Sequence, residues 1–213
     1  MVHRRLLLTT VLVFVLGCQS AYYKTMETFG HHKRDILVDR VEDARDAQED
    51  AKDQFKTALE RFNEVVAVKG GDLQDKYNSL KTELDRSESK AKAVTERIDK
   101  VSEVADDLFK EWVNELDDYT NKELRRSSEA KLRETQARYD QLISAMRRAE
   151  SKIEPVLVVF RDQVLYLKHN LNAQAIASLQ GELTSVETDV AELIREMEAS
   201  IAEADSFISS IGG

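Results

Sequence analysis

The chain has 213 residues, of which 33% are charged, with 7 Gly, a single Pro and a net charge of −9. Globular domains average about 25% charged residues and need more turn residues, so this composition favours long helices joined by few turns. The acidic balance weighs against binding to nucleic acid and against electrostatic adsorption to anionic lipid headgroups. One cysteine leaves no internal disulfide.

The first eighteen residues have the pattern of a bacterial lipoprotein signal. Arg4 and Arg5 precede the apolar run 6–16, which is too short for a bilayer span of roughly 20 residues. The run ends in Val15-Leu16-Gly17-Cys18, which resembles the lipobox. We therefore expect cleavage after Gly17 and a lipid on Cys18. The alternative is an ordinary secretory signal that happens to be followed by a cysteine.

Lipidation of Cys18 predicts a firm membrane anchor, because each buried methylene contributes about 0.8 kcal/mol and several acyl chains act together. Loss of Arg4 and Arg5 with the signal would leave a net charge of −11, which is −9 minus 2. The next residue is Gln19 and not Asp. By the sorting tendency of enteric bacteria, this favours the outer membrane, facing the periplasm, over the inner one.

From Ile36 onward, apolar residues recur with the alternating spacing of four and three that is typical of coiled coils. The pattern predicts four helical runs, over 37–65, 73–112, 132–156 and 176–211. In the first two, only Gln48 and Ser87 are polar interruptions. The mostly aliphatic seams predict a long, narrow core.

Three breaks separate the runs. Gly70-Gly71-Asp72 supplies a helix stop and then an N-cap, and Asn170 to Asn172 offers a turn with Asn172 capping the last helix. Thr120-Asn121-Lys122-Glu123 has the capping-box pattern and predicts a third turn. A continuous helix of about 80 residues through Thr120 is the alternative.

These patterns predict an all-α fold, an elongated antiparallel bundle or coiled coil of about four long helices. The predicted organisation is a signal peptide over 1–17, a lipidated N-terminus and tether over 18–35, and a helical bundle over 36–211. The first and fourth helices are the shorter ones, so one of the two ends is expected to narrow to a two-helix hairpin. In an up-down order, the anchor, the C-terminus and the tip near Thr120 lie at one end. The turns at Gly70 and Asn170 then lie at the other end.

One family resemblance covers nearly the whole chain. The chain resembles the bacterial family catalogued as domain of unknown function 2959. The resemblance is carried by Tyr22-Tyr23, the string from Glu27 to Leu37 that includes Lys33-Arg34-Asp35-Ile36-Leu37, and then Arg40-Val41, Ala44-Arg45 and Gln54-Phe55. The lipobox, the length and the helical content also match. Since the family carries no established activity, the resemblance implies an envelope lipoprotein and no particular reaction.

The N-terminal histidines are the first candidate site. His31 and His32 are adjacent, so on a helix they point about 100° apart and suit one metal ion poorly. We predict no metal and no other cofactor. With Lys33 and Arg34 they could instead form a basic collar near the membrane, where anionic headgroups would attract it. A solvated turn is the alternative.

Three further residues are candidates for partner contact. Phe109 and Trp112 form part of an apolar stripe that either packs in the core or contacts a partner near the tip. Pro155 should kink its helix. The apolar run 156–160 that follows is hydrophobic on every face, so it predicts either a fully enclosed core segment or an adhesive segment that binds a partner.

The sequence contains no Gly-rich phosphate loop, no CxxC motif and no convincing Ser-His-Asp set. The favoured hypothesis is therefore a non-enzymatic scaffold or protein-interaction module with an unknown protein partner. Heptad helices also favour self-association, so a homo-oligomer is a further expectation. A second hypothesis is a membrane-active protein that opens and inserts the segment 156–160. An enzyme is the third.

Overall fold

The computed structural model describes residues 33–67, 72–170 and 172–211, and all its regular structure there is helical. The elements in chain order are α1 (Lys33–Ala67), α2 (Leu73–Glu115), a 3-10 turn (Leu116–Asp118), α3 (Lys122–Ser151), α4 (Ile153–His169) and α5 (Ala173–Ile211). The predicted all-α helical bundle is confirmed.

The helices pack as four antiparallel rods, the third of which consists of α3 followed by α4. Helix α1 lies between α2 and α5, and the α3–α4 rod packs against the same two helices from the opposite side. Ion pairs between neighbouring helices hold this register: Arg45–Asp205, Lys90–Asp50, Arg147–Asp99, Lys152–Glu192 and Arg161–Glu88. Such solvated pairs each contribute little stability, so their main effect is on alignment.

The core follows the predicted seams and is mostly aliphatic. Aromatic packing joins the two helices that face each other across the bundle. The ring of Phe160 on α4 stacks at a centroid distance of 6.4 Å on both Phe55 and Phe62 of α1. These contacts fix α4 against the far side of the bundle.

Both polar interruptions of the seams are fully buried. The Ser200 hydroxyl on α5 donates a hydrogen bond of 2.8 Å to Oε1 of Gln48 on α1. The Ser87 hydroxyl donates to the backbone carbonyl of Glu83 one turn earlier. A buried polar pair between two helices disfavours shifted registers, in which its members would lose each other.

Two helix starts are capped by side chains. The Asp72 carboxylate accepts from the backbone N–H groups of Gln74 and Asp75, as the sequence predicted. At α3 the cap is Asn121, whose side chain accepts from the N–H groups of Glu123 and Leu124. The turn is thus confirmed over the continuous helix, although the capping residue lies one position after Thr120.

The third rod breaks at Lys152, three residues before Pro155. The backbone N–H of Lys152 bonds to the Ala149 carbonyl at 3.1 Å, and α4 begins at the next residue. Pro155 thus occupies the first turn of a new helix, where backbone N–H groups have no partner within the helix and proline is tolerated. Instead of bending a single helix at the proline, the chain ends one helix at Ser151 and begins another at Ile153.

Candidate interaction surfaces at the two ends of the bundle

One end of the bundle holds the start of α1 and the end of α5. Lys33 forms a 2.9 Å ion pair with Glu111 near the end of α2. The Arg34 guanidinium donates to the backbone carbonyl of Ile211, the last residue of α5. Beyond this level the described chain continues as a two-helix hairpin built from the end of α2 and the start of α3, with its tip at 119–121.

The contacts of Lys33 and Arg34 bear on the predicted basic collar. Both cations bind groups of the bundle itself, so they fasten α1 to the ends of α2 and α5. His31 and His32, like Cys18, lie outside the described residues. The collar stays a prediction, with two of its four members engaged within the protein.

Phe109 and Trp112 hold the base of the hairpin together. The Phe109 ring is buried and meets the Tyr139 ring edge to face, with centroids 5.4 Å apart. Trp112 is half-buried, and its indole N–H donates to the Ser128 hydroxyl at 2.8 Å. Their positions favour the packing interpretation over a partner contact. Burial also raises the pKa of the Tyr139 phenol, although a hydrogen bond with Ser102 opposes the shift.

The hairpin does expose apolar side chains, but these are not Phe109 or Trp112. Val113, Tyr119 and Leu124 are exposed, with 57% of Leu124 accessible to solvent. Within 113–131 only Leu116 is buried. Sequence reasoning missed these residues because they fall between heptad runs, where an apolar residue has no periodic pattern to mark it.

Pro155 lies on the outer face of α4, and the segment after it is divided between core and solvent. Val156, Leu157 and Phe160 are buried, whereas Val158 is 44% exposed. The prediction of a segment enclosed on all sides is therefore wrong on one face. The structure gives no support to insertion into a bilayer, because none of the described helices is long and apolar enough to cross a membrane and the largest side chains of the segment form the core.

Two grooves along α4, of about 640 and 340 Å³, are open to solvent, and the described part of the chain also contains a small apolar cavity. The cavity, lined by Phe62, Leu84, Phe160 and their neighbours, measures about 10 Å³, which is room for one water molecule. Over the described ranges no three His, Cys, Asp or Glu side chains converge as a metal site would require.

Arg161 on α4 forms ion pairs with two carboxylates, one on α4 and one on α2. Arg161 pairs at 2.6 Å with Glu154 and with Glu88, which raises the pKa of the guanidinium. The hydrogen bond that Arg161 donates to Glu154 lowers the pKa of that carboxylate. Both pairs are solvated; the Glu154 pair lies within α4, and the Glu88 pair links α4 to α2 and so holds the restarted helix in place.

Comparison with known proteins identifies a family and no activity. A family model described as protein of unknown function (DUF2959) matches residues 22–211. No curated protein matches the chain.

Proposed function

The chain belongs to this family of unknown function, and we propose that it is a lipid-anchored protein of the bacterial envelope, with its helical bundle acting as a non-enzymatic scaffold or interaction module. The anchor is a lipid on Cys18, and the favoured location is the periplasmic side of the outer membrane.

The observation that carries the proposal is the common end shared by the start of α1, the end of α5 and the hairpin tip. In the proposed mature chain, 15 residues (18–32) connect the lipidated Cys18 to Lys33, which lies at this end. A lipid on Cys18 therefore directs the hairpin toward the membrane and the turns at Asp72 and Asn170 away from it. With 43 residues in α2, the far end can stand about 65 Å from the near end.

Several properties support a contact role over catalysis. The helices pair through long seams, and the surface is densely ion-paired. Such a rod presents extended faces to other proteins, while thin bundles offer few of the concave, polar-lined sites that enzymes use. The acidic net charge disfavours nucleic acid as the partner.

The anchor is tested by replacing Cys18 with Ser in the full chain and fractionating the cells. We expect the wild-type protein in the membrane fraction with incorporated labelled palmitate, and the variant released without label. Ser20→Ala is the matched control and should behave as wild type. A Cys18→Ser variant that stays in the membrane fraction to the wild-type extent contradicts the proposal.

A further inference from the structure

The hairpin at the end of the bundle has an apolar face that the described helices leave uncovered. Helix α1 starts below this face, at Lys33, whose ion pair with Glu111 marks the level. Above that level Trp112 and Leu116 of α2 lie one turn apart, and Leu124 lies one turn before the α3 residue that bonds to Trp112. These three side chains form the inner face of the hairpin. Leu124 is 57% exposed and Trp112 is half-buried, because no third helix packs on them within the described ranges.

One stripe of α1 faces α2 along much of its length. Its members follow one another at alternating spacings of three and four residues: Lys33, Ile36, Arg40, Asp43, Ala47, Asp50 and Gln54. This is the spacing with which one helix meets another along a shared face. Contacts between the two helices mark the stripe: Lys33–Glu111, Asp43–Arg97, Asp50–Lys90 and Gln54–Glu83.

These pairs also fix the register of the two antiparallel helices. A step of seven residues back along α1, from Asp50 to Asp43, moves the partner seven residues forward along α2. Counted from the two pairs nearest this end, the same register places Met26 level with residues 114–118 of α2 and the turn that follows it. A segment that follows the line of α1 past Lys33 therefore runs beside the hairpin to its tip.

The α2-facing stripe continues in the sequence before Lys33, outside the described residues. Tyr22, Met26 and Phe29 precede Lys33 at successive spacings of four, three and four residues. All three are large and apolar, and Lys33 is the next member of the stripe. The sequence thus supplies an apolar stripe at the positions that the register places beside the inner face of the hairpin.

We propose that residues 22–32 continue the line of α1 and pack on the inner face of the hairpin as its third helix, with their three apolar stripe residues directed toward α2. Gly30 disfavours a helix that stands alone. The segment therefore takes its order from the apolar contact with the hairpin, since tertiary packing supplies most of the stability of helices in proteins. The same contact removes Leu124 from water.

Covalent linkage selects this occupant of the inner face. The segment is joined to Lys33 at the foot of the face, so its effective concentration there exceeds that of a separate protein. Its length also fits, because a helix over 22–32 spans about 16 Å and the hairpin extends about 14 Å from Glu111 to its tip. The family match begins at Tyr22, so the segment belongs to the same matched region as the bundle that it extends.

Packing of this segment shortens the connection to the membrane, a consequence that rests on the proposed lipid on Cys18. Only residues 18–21 then link the lipid to the folded chain, and they span at most roughly 13 Å. A free connection over 18–32 would span roughly 50 Å. The short connection holds the tip of the hairpin at the membrane surface and limits how far the bundle can tilt or swing.

Disulfide formation within the full chain in native membranes tests the packing. Met26→Cys is combined with Glu115→Cys, because Glu115 lies one turn after Glu111 and so on the side of α2 that faces α1. The matched control combines Met26→Cys with Val113→Cys. Val113 is also exposed and lies at nearly the same level, but it follows Phe109 by one turn and so lies on the side that faces α3.

Mild oxidation followed by mass spectrometry of the linked peptides gives the result. We expect the Met26–Glu115 cysteine pair to be linked several-fold more than the Met26–Val113 pair. Equal linkage of both pairs overturns the inference, and so does linkage of neither, which leaves the inner face to a lipid surface or another protein. Glu115→Cys alone sets the background from Cys18.

Fractionation of the same cells keeps the packing and the anchor apart. Membrane-bound protein without selective linkage refutes the packing of residues 22–32 alone. Selective linkage in protein that fractionates as soluble supports the packing and refutes the lipid on Cys18.

Trp112 reports on the same contact without added cysteines, since it is the only tryptophan of the chain and lies on the inner face. In the full chain purified in mild detergent, Phe29→Ala should shift the Trp112 emission to longer wavelength and raise its quenching by acrylamide several-fold. Thr28→Ala is the matched control, because Thr28 lies one heptad before the exposed Asp35 and so off the stripe. A cooperative urea transition in both variants confirms that the bundle is folded. Emission and quenching that are unchanged in Phe29→Ala overturn the inference.

Discussion

The hydrogen bond between Gln48 and Ser200 can be deleted from either side, and the two deletions should change stability in opposite directions. Both side chains are fully buried, and the Ser200 hydroxyl donates to Oε1 of Gln48 at 2.8 Å. Nε2 of Gln48 has no hydrogen-bond partner within the described structure. The pair therefore combines one satisfied bond with one buried amide N–H₂ that lacks a partner.

Ser200→Ala leaves the whole Gln48 amide buried without partners. An unsatisfied buried polar group costs about 1–3 kcal/mol, and the better helix propensity of Ala returns at most about 0.5 kcal/mol. The variant should therefore unfold more easily by about 1–2 kcal/mol. For a chain of this size, that lowers the midpoint of thermal unfolding by roughly 2–8 °C.

Gln48→Leu removes the amide and fills the position with an apolar side chain of similar volume. The Ser200 hydroxyl can then donate to the carbonyl one turn earlier in α5, as Ser209 does with Asp205. We expect stability to rise by about 1 kcal/mol. The double variant should be at least as stable as the wild type.

Urea unfolding of the chain from Gln19 onward, followed by circular dichroism at the helix band, measures all three variants. If Ser200→Ala and Gln48→Leu destabilise the protein equally, the bond itself carries the stability and the reasoning from the buried amide is refuted. A Gln48→Leu protein that forms mixed oligomers would show instead that the pair mainly specifies register.

Three further predictions concern helix ends and ionisable groups. Asp72→Ala should cost about 1 kcal/mol in urea unfolding, because two N–H groups at the start of α2 lose their acceptor, whereas Asp72→Asn should cost less. Burial raises the pKa of Tyr139, so the stability that its neutral phenol contributes is complete below about pH 10 and is lost as the pH rises through the folded-state pKa. Tyr139→Phe should therefore keep its helicity to higher pH than the wild type. Equal alkaline unfolding midpoints for the two proteins would contradict this. The hydrogen bond with Arg161 lowers the pKa of Glu154, so the stability that this carboxylate contributes is present above about pH 4.3 and is lost as the pH falls through the lower folded-state pKa. Glu154→Gln should lower the free energy of unfolding by less than about 1 kcal/mol at pH 7 and should leave it unchanged at pH 2. An equal loss of stability at both pH values would show that the effect is not electrostatic.

The sequence predicted the architecture well, because heptad spacing and helix caps are local signals. The seams placed Gln48 and Ser87 in the core, where the structure has them. Asp72 caps α2 because an acidic side chain before an apolar run satisfies the first N–H groups of a helix. The cap of α3 was misplaced by one residue because Thr120 and Asn121 are both good capping residues.

The surface was harder to predict, because exposure depends on which helices neighbour each other. The run 156–160 is apolar on every face, and periodicity cannot tell which of its residues meets a neighbour. Only the packing of α4 between α2 and α5 shows that Val158 faces outward. Glu83 is a similar case: it is buried in the structure, where it pairs with Arg86 and accepts from Gln54, although nothing in its local sequence marks it.

Mass spectrometry of the mature N-terminus is the sharpest test of a lipid on Cys18 that orients the bundle. Protein extracted from the membrane fraction should yield an N-terminal peptide that begins at Cys18 and carries the added mass of a diacylglyceryl group and its acyl chains. A mature N-terminus at another residue, or an unmodified Cys18 thiol, would rule out the proposed lipid anchor.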